Sequence, residues 1–327
     1  MKGLAFGVGL FPTEPLPVMV RLAMVAESLG FSHVWVGDSH LIWREAYVNL
    51  AAAAVSTSRV VLGTGVTNIL TRDPSVVASA FATLQEACPG RFVMGLGLGD
   101  SAVETMGRKP ARLADFAAAA ERMRELIAGR EVKIDTGTIH LKHGVSQGVP
   151  IYFAASGPKM LELAGRMADG VIILVGVDPA RVARAVETIG RGARAAGRRF
   201  DEIDLVLWVP CAVAETGARD AVKAHVARIV AHPLPYTLAP EEQRVVDDIR
   251  RAYNYYQHME HGASQALVVP DWLVDRFAVA GTSAEIGAAV DRLRASGITQ
   301  VALIPYGAGD GDREATLRRF AAAVMHG

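Results

Sequence analysis

The chain has 327 residues, 51% of them apolar, and carries 34 Lys plus Arg against 34 Asp plus Glu, a formal net charge of zero. That balance excludes a global field able to recruit nucleic acid or an anionic membrane surface. The length exceeds the usual single domain but suits an α/β barrel, and half the residues suffice for a large core. Cys88 and Cys211 stand far apart without a partner motif, so both are expected as buried thiols in a reducing, cytoplasmic compartment. Met1-Lys2 and the apolar residues 4–11 imitate a signal peptide, but Pro12-Thr13-Glu14-Pro15 interrupts the run and no small-residue cleavage site follows. No apolar stretch reaches the length of a membrane span.

In chain order, strand-length apolar runs alternate with segments of helical period. Strands are predicted at residues 4–10, 33–36, 60–66, 91–98, 150–154, 170–174, 205–213 and 299–305. Helices are predicted at 16–29, from about 44, from Pro74, at 110–127, 158–168, 179–196, near 241–258, at 283–294 and at 313–326. A β-hairpin around Asp135-Thr136-Gly137-Thr138 reads as an excursion. Eight short strands, each followed by helical pattern, predict a parallel closed (β/α)₈ TIM barrel rather than an open doubly wound sheet. The expectation is a single domain over 1–327 with insertions, notably one at about 214–282 between strands 7 and 8. Insertions of that size usually wall a pocket.

In a barrel the chemistry lies just beyond the strand ends. Gly37-Asp38-Ser39-His40 offers proton-exchanging groups or a helix cap. The glycines of Gly63-Thr64-Gly65-Val66-Thr67-Asn68 allow close approach by a ligand, or a bulge. Gly95-Leu96-Gly97-Leu98-Gly99-Asp100 is a poor dinucleotide fingerprint, since no helix follows at once, and reads better as room for a flat ring. Ala154-Ala155-Ser156-Gly157-Pro158-Lys159 offers backbone N–H groups at a helix start, a hydroxyl and a cation, an anion cradle. His258 and His261 stand three apart without a third ligand at a supporting spacing, and His140 and His143 have no metal pattern, so no metal site is predicted.

Together these segments resemble the bacterial luciferase-like monooxygenase superfamily, and within it the branch using the deazaflavin coenzyme F420. The resemblance covers essentially the whole barrel. It rests on Asp38 to Arg44 (DSHLIWR), Gly63 to Pro74 (GTGVTNILTRDP), Pro89-Gly90-Arg91 leading to Gly95–Asp100, and Ala154 to Asp169 (AASGPKMLELAGRMAD). The last is especially similar to the methylenetetrahydromethanopterin reductases and their bacterial relatives. The resemblance implies a non-prolyl cis peptide joining Gly65 to Val66 behind the ring, with Thr67 beside it and Leu98 against the ring. It implies Asp38 at the ring's polar end or the substrate, Asp100 near the reacting face, and a phosphate held by Ala155, Ser156, Gly157, Pro158 and Lys159. Asp38, His40 and Asp100 are the candidate proton-handling groups, and Trp43 and Tyr47 the candidate substrate contacts. The branch's sugar-phosphate dehydrogenases place Asp and His adjacent and Glu where Asp100 stands, so this chain departs from them. The function implied is hydride transfer between F420 and a small organic substrate. The alternatives are an FMN-dependent monooxygenase served by a partner flavin reductase, and a non-catalytic cofactor-binding relative. The resemblance also implies a homodimer through apolar helix faces at 51–54 and 76–81.

Overall fold

The computed structural model describes residues 3–232, 234, 238–253 and 263–326. Eight parallel strands close on themselves: β1 (Ala5–Leu10), β2 (His33–Val36), β3 (Val61–Thr64), then β5 (Phe92–Gly97), β8 (Ile151–Ala155), β9 (Gly170–Ile173), β10 (Asp204–Val213) and β12 (Gln300–Pro305). β10 pairs both β9 and β12, and β12 pairs β1, which completes the ring. A hairpin of β6 (Val132–Ile134) and β7 (Gly137–Ile139) stands apart as an antiparallel pair.

Two layers of apolar residues explain closure. Outward-facing strand residues such as Val8, Leu62, Met94 and Leu207 pack under the surrounding helices. Inward-facing Trp35, Tyr152, Ile172, Val206, Trp208 and Ile304 fill the axis. Two tryptophans fit because glycine lies opposite them. A Cβ on Gly9 would stand 2.7 Å from the Trp208 ring, and one on Gly65 would stand 2.6 Å from it. At the amino end of the strands, Trp35 Nε1 donates to Gln300 Oε1, whose amide lies 2.7 Å from His33 Nδ1. Burial pulls His33 down to about 4, against the opposing pull of Asp204.

The helices start where their caps predict. α3 (Pro74–Ala87) and α7 (Pro179–Ala195) begin with Pro after the capping carboxylates Asp73 and Asp178. α1 (Leu16–Ser28) and α5 (Leu113–Ile127) fall close to expectation, whereas α2 (Ala46–Ser56) begins two residues later than predicted, capped by Glu45. The third predicted strand divides. β3 ends at Thr64, the Gly65–Val66 peptide is cis, and a short β4 (Thr67–Asn68) resumes pairing with β5.

The connection from β10 to β12 holds more than its sequence pattern announced. α8 (Ala218–Ala231), α9 (Pro240–Ala252) and α10 (Asp271–Phe277) share an apolar cluster built on Val222, Val226, Val246, Ile249, Leu273 and Phe277. A short β11 (Val279–Gly281) adds parallel to the end of β10 before α11 (Ser283–Arg294). The end of the helix predicted at 241–258, together with His258 and His261, lies outside the described residues. Among the described residues, no helix is long and apolar enough to cross a membrane.

Candidate active site

A cavity of about 730 Å³ opens at the carboxyl ends of the strands, where barrel enzymes place their chemistry. One wall is the segment expected as an anion cradle. β8 runs into Ala155, Ser156 and Gly157, and α6 (Pro158–Met167) starts at once with no side chain capping its first turn. Its leading N–H groups, with the positive end of the helix dipole, are thus left for a ligand. A Cβ on Gly157 would meet nothing within 4 Å, so the backbone here borders open space. Ser156 and Lys159 are exposed along this edge.

The floor lies at the ends of β3 and β5. Gly65, Val66, Thr67, Gly97 and Leu98 all line the cavity. The alternate glycines of β5 were expected to clear space for a ring, and the geometry corrects that expectation. A Cβ on Gly95 would stand 2.0 Å from the Thr64 carbonyl, and one on Gly97 2.8 Å from the Val66 side chain. These glycines make room for the β3–β4 crossing, and Val66 rather than empty space presents itself to the cavity.

Asp38 lines a second wall and is only 5% exposed. Its Oδ2 accepts from Thr67 Oγ1 at 2.8 Å and from Arg72 Nη1 at 2.7 Å. Its Oδ1 is buried without a hydrogen-bond partner among the described residues, a state that costs about 1–3 kcal/mol if left unmade. Burial would lower the Arg72 pKa, but Asp38 first, then Tyr47 and Glu45, raise it above its ordinary value. Arg72 belongs to the quoted TRDP segment, yet the sequence offered no reason to single it out.

Two predicted residues lie outside the lining, and a third lines it with its carboxylate already paired. Tyr47 does not line the cavity: its hydroxyl donates to Thr67 at 3.1 Å and Arg72 lies over its ring, so it braces the wall from behind. Burial raises its pKa. His40 is exposed and also outside the lining, because the turn after β2 points it to the surface, while Ser39 turns inward onto Ser101 at 2.8 Å. Asp100 does line the cavity, but it is engaged. Arg228 pairs with its Oδ2, and His232 Nε2 lies 3.2 Å from its Oδ1.

Arg228 and His232 come from the insertion. α8 presents His225, Arg228 and Ile229 to the cavity, spacings of three and four that share one helical face, and His232 follows just past its end. His225 is buried, and its Nδ1 shares a hydrogen bond of 2.9 Å with the Tyr306 hydroxyl beyond β12. Burial raises the pKa of that phenol. The His225 ring also lies 5.8 Å from Phe11, which stacks on Trp43 at 4.4 Å. Burial, and then Arg228, pull His232 down to about 4. Asp100, Glu104 and His232 bring ligand-type atoms within 4.8 Å of one another, but Arg228 already occupies the Asp100 carboxylate.

A closed barrel whose cavity at the carboxyl ends of the strands borders an uncapped helix start and an aromatic, largely apolar mouth has the form of a cofactor-dependent barrel enzyme. Residues 6–300 match the profile of the family described as luciferase-like monooxygenase, and the chain belongs to that family. It is 34% identical over 310 residues to the 5,10-methylenetetrahydromethanopterin reductase of Methanolobus tindarius, covering 91% of this chain and 93% of that one. Over 210 residues it is 35% identical to the F420-dependent glucose-6-phosphate dehydrogenase of Nakamurella multipartita, covering 58% of this chain and 61% of the other. The solved structure of the coenzyme F420-dependent tetrahydromethanopterin reductase from Methanopyrus kandleri superposes with a TM-score of 0.80 at 28% identity, over 99% of both chains.

Proposed function

We propose that the chain is an oxidoreductase that transfers a hydride between coenzyme F420 and a small organic substrate. The observation that carries this reading is the end-to-end likeness to the F420-dependent reductase of Methanopyrus kandleri. The residues present fit such a cofactor. The open backbone at Gly157 leaves room for a phosphate, and the buried Oδ1 of Asp38 calls for a donor. Ala155, Ser156, Gly157, Pro158 and Lys159 would hold the phosphate, and Gly65, Val66, Thr67 and Leu98 would border the ring. Bound there, the deazaflavin supplies a ring carbon that gives or takes two electrons as hydride.

The protein's part is orientation, exclusion of water and proton handling. Phe11, Trp43 and Trp208 close the apolar side of the mouth. When a substrate carbon gains or loses hydride, its heteroatom gains or loses a proton. His225 is the group we assign to that exchange. The Tyr306 hydroxyl holds the imidazole through Nδ1 and so fixes its orientation toward the cavity. Asp38 and Asp100 are each held by a guanidinium, which suits them to accept hydrogen bonds. The substrate pocket belongs to the 214–282 insertion, within one luciferase-like domain. Of the helix faces expected at a dimer contact, Ala53, Ala54, Val77, Ala78 and Phe81 are buried against the barrel; Val48, Val55 and Val76 stay exposed on α2 and α3, and we read them as the contact of a homodimer working in the cytoplasm.

Titration of the purified chain with F420 and with FMN tests the reading. Tight F420 binding without FMN affinity supports it. FMN binding with oxygen-dependent turnover, fed by a flavin reductase, overturns it.

A further inference from the structure

We propose that Arg72 is a positioning residue for the cofactor ring, acting through Asp38; this rests on the cofactor reading above. The two oxygens of Asp38 are treated differently. Both donors, Thr67 and Arg72, converge on Oδ2, while Oδ1 stays buried at the cavity wall with no partner among the described residues. One oxygen is therefore spent on holding the carboxylate still, and the other is left to be satisfied at the cavity wall.

Arg72 is itself held from two further directions. Its Nη2 donates to Glu45 Oε1 at 2.5 Å, and its guanidinium lies 4.7 Å from the centre of the Tyr47 ring. Glu45 in turn caps α2 through the Val48 N–H at 2.7 Å. Tyr47 returns to Asp38 by way of Thr67, so Asp38, Arg72, Tyr47 and Thr67 form a closed circuit buttressed by Glu45. Two successive connections of the barrel supply it: β2 to α2, with Asp38, Glu45 and Tyr47, and β3 to α3, with Thr67 and Arg72.

The circuit determines what Oδ1 binds. The charged and titratable groups around Asp38 are Arg72, Glu45 and Tyr47: two carboxylates against one guanidinium, with a phenol whose pKa burial raises. A second anion is unwelcome there, so the phosphate belongs at the α6 cradle and the group meeting Oδ1 is a donor. An N–H at the polar end of the ring has that chemistry. With Arg72 removed, Asp38 loses its charge-assisted anchor and is free to turn, and the ring loses a fixed acceptor.

Calorimetric titration of the purified chain with F420 tests this in wild type, D38N, R72M, the double variant and R72K. R72M and D38N are each expected to weaken binding about tenfold. The double variant should be no weaker than the poorer single, and R72K should regain part of the loss, because both changes break one contact. Losses that multiply in the double variant, or wild-type affinity in R72M, overturn the proposal. Should R72M fail to fold, T67V removes the other donor to the same oxygen and is read against D38N in the same way. Absence of F420 binding by wild type fells the cofactor reading itself and this proposal with it.

Discussion

The cavity has two walls built on different principles. On the barrel side, at the ends of β2 to β5, positions are dictated by backbone crowding: glycine stands where another strand's carbonyl or side chain arrives. On the insertion side, α8 leans His225, Arg228 and Ile229 over the mouth, with His232 just past its end. The first wall is over-determined by the fold, and suits a cofactor that never changes. The second touches the barrel through side chains such as Asp100 and Tyr306, and can be rewritten without disturbing closure.

The sharpest way to break the first wall is G95A. The new methyl group would stand 2.0 Å from the Thr64 carbonyl, and backbone cannot yield as a side chain can. We expect a loss of 3 kcal/mol or more, read as a fall of roughly 5–10 °C in thermal midpoint. A midpoint unchanged from wild type would show that the β3–β4 crossing moves freely. G157W probes the same wall where it borders open space instead of backbone. It should leave the midpoint alone and weaken F420 binding by about 200-fold, roughly 3 kcal/mol. Wild-type affinity in G157W would remove the phosphate from the α6 cradle.

The same contrast governs what could be read beforehand. Barrel strands carry dense apolar runs, and all eight were visible, with β2 matching to the residue. The turn from β8 into α6 was visible too, because Pro158 and the small residues before it are local signals. Long-range pairings leave no local mark, and Arg72 reaching Asp38 across 34 positions is one of them. His225 was missed for a related reason: α8 is rich in alanine, its periodicity is weak, and its partner Tyr306 lies 81 residues on. His40 failed in the opposite direction. Its place just past the end of β2, two residues from Asp38, suggested a shared role, but one residue along a turn reverses which way a side chain points.

A change on the insertion wall should show in rate rather than stability. H225Q keeps a polar group beside Tyr306 but cannot exchange a proton. Its kcat should fall about 100-fold with the F420 dissociation constant unchanged, on any substrate wild type turns over. An unaltered kcat would return the proton to Asp38 or Asp100 and make α8 a passive wall. Y306F, which frees the imidazole while keeping it, should cost less than H225Q.

The smallest expected effect lies on the seam between the walls. His232 is held neutral in the fold, drawn from 6.5 down to about 4 by burial and then by Arg228, with Glu104 opposing. The unfolded chain therefore takes up this proton from about pH 6.5, and the folded chain only near 4. The resulting stability is present above pH 6.5 and is lost as pH falls through that window. Because the side chain is 32% exposed, solvent screening leaves a contribution of about 1 kcal/mol. His33 at the far end of the barrel is likewise drawn to about 4 by burial, so the wild-type stability curve holds two such contributions. H232Q should remove one and leave the other, flattening the decline between pH 6.5 and 4 in part. Denaturant midpoints at pH 7, 5.5 and 4.5 measure it. An H232Q curve parallel to wild type would mean that the seam already admits water.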